Sequence, residues 1–389
     1  MLTEKELAYI EEHAQEGREL LLTLARIPAP SHHEEKRARF CKDWLEAHGA
    51  QNVVIDDALN VVYPIGVTED NPVTVFMAHM DVVFPDTEEL PLTVKDGKIF
   101  CPGVGDDTAN VAALLMAAAY VTEQGLRPEQ GGVIFVCNSC EEGLGNLKGS
   151  RKICDTYGKR IQAFYTLDLY LDRYVTRSVG SCRYRVKVTA EGGHSYLDFG
   201  KENAIAGLAE FITGLYQIQV PREGRTTYNV GTIQGGTSVN TIAQQAEITC
   251  EFRSDCRESL KEMEHRFYGL IEEFQSKGVS IEAEVIGIRP CEGKVDAAAR
   301  QQMFDYVEEA VFHACGVKPG TGSSSTDCNI PLSLGIPAVC FGACRGKGFH
   351  TREEFVYEDS LIPGYQTALE MVLHYFSVTA HPWGCRFND

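Results

Sequence analysis

Four short apolar runs govern what this chain can fold into: Val73 to Ala78, Gly132 to Val136, Ala163 to Leu167 and Ala338 to Phe341. Each is bounded by glycine or polar residues, and helix-like segments separate them. Continuous apolar strands belong to sheets covered on both faces, so the pattern predicts βα units around a largely buried sheet. Between the first two runs, Thr108 to Gln124 is rich in Ala and Leu, starts beside Asp107 as a prospective N-cap and stops at Gly125. That stretch predicts a helix.

At 389 residues the chain is too long for one ordinary core. Its texture changes between Arg183 and Ile288, where "RYRVKVTA" and "AEITCEFRSD" alternate as half-buried strands do, around helix-like stretches at Glu202 to Tyr216 and Ser259 to Lys277. The expected fold is therefore α/β, a mixed sheet flanked by helices in two segments, 1–182 and 289–389, with a smaller α+β domain inserted at 183–288. After the insertion, the helix-like "AAARQQMFDYVEEAVFHACG" and "YEDSLIPGYQTALEMVLHYFSVTA" restore the first texture, and no internal repeat or low-complexity tract is present.

Carboxylates and histidines gather just past the C-terminal ends of the expected strands, where open α/β sheets place their sites. "FMAHMD" ends a strand with His79 and Asp81, "NSCEEG" with Glu141 and Glu142, "YTLDL" with Asp168, and "VCFGACRGKGFH" leads to His350. Asp106 sits in the glycine-rich turn "GVGDDTAN" before the expected helix. Five such groups suit two zinc ions, one carboxylate bridging and the other four shared two to each ion. Three carboxylates against two Zn²⁺ leave a single positive charge that a hydroxide would neutralise. His79 and Asp81, two apart on an extended strand, share a face, so Asp81 can accept the second imidazole N–H. Glu141 and Glu142 are adjacent and point apart, so one can bind metal while the other serves as general base.

Other features point away from chemistry or exclude classes of partner. "CNSC" is a C-x-x-C pair, yet Cys137 falls in an expected buried strand and "EEGLGNLKGS" after Cys140 reads as a loop, not the helix of a thioredoxin-like site. "SHHEE" at Ser31 to Glu35 looks metal-rich, but Ser31 with Glu34 forms an S-x-x-E capping box, which predicts a helix start. With 55 acidic against 36 basic residues, a nucleic-acid or anionic-membrane surface is not expected. No apolar run reaches the length of about 18 residues that a membrane span needs. The N-terminus reads as an amphipathic helix without the regions of a secretory signal, and the 14 scattered cysteines suit reduced thiols in a cytoplasm.

The motifs "AHMD", "GVGDD", "CEEG", "TLDL", "GGHS", "SVNTIAQQAEITCEFRSD", "SSSTDC" and "GFHT" occur in that order over nearly the whole chain. Together they resemble the di-zinc exopeptidase and deacylase family of carboxypeptidase G, tripeptide aminopeptidase, acetylornithine deacetylase and succinyl-diaminopimelate desuccinylase. The resemblance implies one zinc on His79 and Asp168, another on Glu142 and His350, Asp106 as bridge and Glu141 as general base. Cobalt or manganese would suit the same donors. It further implies a homodimer formed through the inserted (lid) domain, with His194 reaching the partner's active site to stabilise an oxyanion, and Asn240 and Arg253 holding the substrate. The expected activity is di- or tripeptide exopeptidase, with N-acyl amino acid deacylase as the alternative and a metal-free binding protein as the rival from another class. One departure stands out: the resembled pattern Asp-x-Lys-Gly-Gly is here Asp106-Asp107-Thr108-Ala109-Asn110.

Overall fold

The computed structural model describes residues 1–376. The last positions of the final helix-like stretch, 377–380, lie outside the described residues. The chain divides into two compact units: Met1–Thr176 together with the segment that starts at Gly293, and Arg177–Glu292.

In chain order, the first unit opens with α1 (Glu4–Arg26), where Thr3 and Glu6 form a capping box and Ile10, Leu20, Leu21 and Leu24 are buried. Helix α2 (Glu35–Ala47) follows, but the Ser31–Glu34 capping box does not form: Glu34 is itself the N-cap residue and makes no side-chain cap bond. Ser31 Oγ instead donates to Asp81 Oδ2 at 2.6 Å, and Glu34 Oε1 accepts the Cys140 N–H at 2.9 Å. Both partners are buried away from water, so their demand for hydrogen bonds outweighs that of a solvated helix end. Then come β1 (Val61–Ile65), β2 (Val73–His79), α3 (Ala109–Glu123), β3 (Gly132–Asn138), α4 (Lys148–Tyr157), β4 (Ile161–Leu167) and β5 (Arg173–Ser178).

The inserted unit holds β6 (Gly180–Thr189), α5 (Ala204–Leu215), β7 (Thr226–Gly235), β8 (Gln245–Ser254), α6 (Arg257–Ser276) and β9 (Ser280–Arg289). Its sheet is antiparallel in the order β7-β8-β6-β9. Tyr184, Val186, Ile248 and Phe252 from the sheet close a core with Phe211 of α5 and Phe267 of α6. The period-2 alternation predicted for β6 and β8 is visible in their burial, which alternates along both strands. A short ribbon pairs Gly193–His194 with Thr241–Ile242.

The chain returns to the first unit with α7 (Ala297–Cys315), β10 (Gly320–Ser324), β11 (Ala338–Phe341) and α8 (Leu361–Leu373). The eight-stranded sheet runs Val54–Ile55, β1, β3, β2, β4, β11, β5, β10. Its four central strands, β3, β2, β4 and β11, are mutually parallel, while β1 and β5 join antiparallel. Every residue of β2, β3 and β11 is buried, which is why they read as unbroken apolar runs. One face packs on α1, α3, α7 and α8 through residues such as Phe76, Tyr165 and Leu114, the other on α4 through Met77, Phe164 and Ile153. With the four central strands parallel, their C-terminal ends open on one edge of the sheet.

Candidate metal centre

β2 delivers His79 at its last residue, and β4 delivers Asp168 one residue past its end. Asp106 comes from the turn Val104–Thr108 before α3, and its peptide to Asp107 is cis. The Asp106 carboxylate is split between two imidazoles: Oδ1 lies 3.1 Å from His79 Nε2 and Oδ2 lies 3.2 Å from His350 Nε2. His350 Nε2 is also 3.4 Å from Glu142 Oε1. Donor atoms of His79, Asp106 and Asp168 lie within 4.8 Å of one another, and so do those of Asp106, Glu142 and His350. All five ligands expected from the sequence thus converge in two triplets that share Asp106. A third triplet, His79 with Glu141 and Glu142, sets Glu141 beside them.

Asp81 faces His79 as its spacing suggested and takes a second post as well. β2 ends at His79, and the His79 Nδ1 lies nearer the Asp81 backbone carbonyl, at 3.0 Å, than Asp81 Oδ1, at 3.5 Å. The buried carboxylate is taken up by the loop after β3, with Oδ1 accepting the Glu141 N–H at 2.9 Å and Oδ2 the Glu142 N–H at 2.8 Å. Burial alone would raise its pKa, but His79, Ser31 and the Glu142 amide hold it below the usual carboxylate range. Cys140, in the same loop, is fully buried, and burial pushes its thiol up to about 12, so it remains an inert thiol.

Two further buried acids support the ligands, in roles that the sequence did not signal. Asp107, expected as a helix cap, is turned inward: Thr108 is the residue at the N-cap, while Asp107 Oδ2 accepts the His79 backbone N–H at 2.9 Å. Glu354, fully buried, accepts the N–H groups of Gly103, Gly105 and Asp106 at 2.8, 2.9 and 2.9 Å. It therefore holds the turn that carries Asp106. Gly105 is required there, because a Cβ would lie 2.9 Å from Glu354 Oε1.

The donor set fits divalent cations. Asp168 is pushed up to about 7 by burial and by the Asp106 charge, and Glu142 is raised for the same two reasons. His350 is raised to about 10 by the Asp106 and Glu142 carboxylates that face it, and His79 is raised by the charges around it in spite of its burial. Acids that resist ionising and imidazoles that resist losing a proton describe one deficit, a lack of positive charge at this point. Glu142 Oε1 is buried and faces the His350 imidazole at 3.4 Å, a contact that leaves capacity on this oxygen for a metal.

Three expected residues fall in the inserted unit. His194 is exposed, and its Nδ1 accepts the N–H groups of Tyr196 and Leu197 at 3.2 and 3.4 Å. Asn240 adjoins it across the ribbon, its carbonyl accepting the Ser195 N–H at 3.0 Å. Arg253, on β8, binds Glu251 through Nε and Nη2 at 2.7 and 3.1 Å.

Parallel buried strands that end in converging imidazoles and carboxylates define a candidate metal centre. The chain belongs to peptidase family M20/M25/M40, whose sequence pattern matches residues 75–374. It is 26% identical over 314 residues to an acetylornithine deacetylase of Myxococcus xanthus, covering 77% of this chain and 79% of that one. Among solved structures it is similar to a tripeptidase of Staphylococcus aureus, with a TM-score of 0.74 and 23% identity over 92% of this chain and 97% of that one. A dinuclear metal-binding M20 peptidase of Bacillus subtilis matches with a TM-score of 0.63 and 17% identity, covering 94% of this chain and all of its own. Among the described residues no helix is long and apolar enough to cross a membrane.

Proposed function

We propose that the protein is a two-zinc hydrolase of amide bonds in small substrates, acting as a di- or tripeptide exopeptidase. The observation that carries this reading is Asp106, whose two oxygens face two different imidazoles at 3.1 and 3.2 Å. A carboxylate shared in this way suits a bridge, with His79 and Asp168 on one ion and Glu142 and His350 on the other; cobalt and manganese suit the same donors. When bound, such ions supply Lewis-acid polarisation of the scissile carbonyl and lower the pKa of a water.

The remaining work falls to side chains of this chain. Glu141 is buried beside His79 and Glu142 and held at its N–H by Asp81, so it takes the proton of the attacking water and carries it to the leaving amine. Asp81 orients both glutamates through consecutive amides. His194, with Nδ1 engaged as an acceptor, keeps its proton on Nε2 and can donate it to an oxyanion in the active site of a partner copy. Asn240 and Arg253 hold the substrate, the latter through Nη1 on a carboxylate, since Glu251 takes its other two nitrogens. A homodimer is supported by Tyr196, Leu197, Phe199 and Val239, which flank His194 and Asn240 and are 84, 78, 90 and 102% exposed. The 13 free cysteines among the described residues suit a cytoplasmic protein.

The second reading, an N-acyl amino acid deacylase on the same groups, is favoured by the Myxococcus xanthus relative. A panel of dipeptides, tripeptides and N-acetyl and N-succinyl amino acids, offered to zinc-, cobalt- and manganese-loaded protein, separates the two. Metal-dependent cleavage of peptides is expected. Turnover of N-acyl amino acids alone would move the assignment to deacylase, and fewer than one bound ion per chain after zinc loading would remove the metal mechanism.

A further inference from the structure

We infer that Asn110 is a positioning residue that locks the His79–Asp168 half of the site, an inference that rests on the two-metal reading above. Residues 109–121 of α3 are all buried and, apart from Asn110 and Tyr120, apolar, so an amide there must find partners or incur the cost of an unsatisfied buried polar group. Asn110 is fully exhausted by its surroundings. Its Oδ1 accepts the Ala343 N–H at 2.6 Å, and its Nδ2 donates to Asp107 Oδ1 at 2.5 Å and to the Leu169 carbonyl at 3.1 Å.

These partners belong to two strand-end segments and to the turn that leads into α3. Leu169 follows Asp168, Ala343 follows β11, and Asp107 follows Asp106 and in turn holds the His79 N–H. Backbone bonds already tie Asp168 to Phe341 and Leu171 to Cys344, so the β4 and β11 ends move together. The β2–β4 ladder pairs Met77 with Thr166 just before the two ligands, and what Asn110 adds is a side-chain link from the β4 and β11 ends to the turn carrying Asp106. In the resembled pattern glycine stands at this position, and glycine has no side chain to make these bonds. Beyond the last ladder pair, this amide ties the Asp107 carboxyl that holds the His79 N–H to the residue after Asp168, whereas Glu142 and His350 are reached only indirectly.

The test uses the full-length protein stripped of metal with a chelator and titrated with zinc and with cobalt, as wild type and as Asn110→Ala. Calorimetry reads the two affinities, the cobalt visible spectrum reads ligand geometry, and circular dichroism reads folding. A folded variant should lose about 10- to 100-fold in affinity for one equivalent, with an altered cobalt band, while the other equivalent changes by less than about threefold. A role in stability alone would lower Tm of the metal-free variant and leave both affinities and the spectrum unchanged, which would overturn the inference. If Asn110→Ala does not fold, Asn110→Ser is judged by the same readouts, and failure of both to fold would also assign the residue to stability. Wild type that binds fewer than one ion would instead sink the metal reading itself.

Discussion

Chelating the metal should leave a protein that loses stability as the pH rises from 5 to 8. In the metal-free site burial, with the Asp106 charge, raises Asp168 from 3.8 to about 7. Burial, again with Asp106, raises Glu354 from 4.5 to about 8 against three amide donors. Both groups hold a proton more tightly in the fold than in the unfolded chain. Their contribution is therefore fully present below 3.8 and 4.5 and is lost as the pH climbs through 7 and 8. Between these limits each carboxyl is protonated in the fold and ionised when unfolded, a slope of about 1.4 kcal/mol per pH unit per group. Relaxation and water entry at charged buried sites reduce this, so about 1–2 kcal/mol per pH unit for the two together is expected. His350 acts in the same direction above its ordinary 6.5, but it is more than half exposed and screened, so it adds little. Cations would take the place of the protons, so the loaded protein should have a shallow profile and should release protons on binding. Thermal melts by circular dichroism at pH 5, 6, 7 and 8, with and without chelator, measure this directly. A chelated protein whose Tm rises over that range, or a zinc-loaded one that falls just as steeply, would refute the reasoning.

Glu141→Gln should retain both metals and lose about 10²- to 10⁴-fold in kcat, because the proton carrier is removed while the ligands stay; metal analysis beside steady-state kinetics checks both halves. Asp106→Asn should bind no more than one ion per chain, read by metal analysis after zinc loading and gel filtration. Ser31→Ala removes a 2.6 Å hydrogen bond to a buried charged acceptor, so its unfolding free energy should fall by about 1–3 kcal/mol in denaturant titration.

The sheet and the ligands were legible for the same reason. Strands buried on both faces must be apolar throughout, so β2, β3, β4 and β11 announce themselves, and a ligand at a strand end is found by reading one to six residues past the apolar run. Two ligands are exceptions: Asp106 lies in the glycine-rich turn before α3, and His350 is reached through a nine-residue path from Phe341 and found by its histidine alone. The supporting acids were not legible, because their partners are assigned by tertiary structure: Glu354 bonds amides about 250 positions earlier in the chain. Ser31 and Asp107 were misread for a sharper reason. A serine three residues before a glutamate, or an aspartate at the start of an Ala-rich run, satisfies the local rule for a helix cap, and nothing nearby says that a buried carboxylate or a strand-end amide will compete for it.

The adjacency of Glu141 and Glu142 gains its meaning from Asp81. Two consecutive residues free to rotate would leave the distance between a proton carrier and a ligand undetermined. One buried carboxylate that accepts both of their amide N–H groups, Oδ1 on one and Oδ2 on the other, fixes the peptide plane between them and the one before Glu141, and so the direction in which the Glu141 side chain leaves the backbone. Asp81 belongs to the segment that follows His79, so these planes are referred to the same strand end that carries a ligand. On the proposed reading, the general base is thus set against the metal ligand by two hydrogen bonds from one carboxylate, and a substitution distant from the strand ends should change stability without changing the relation between base and ligand.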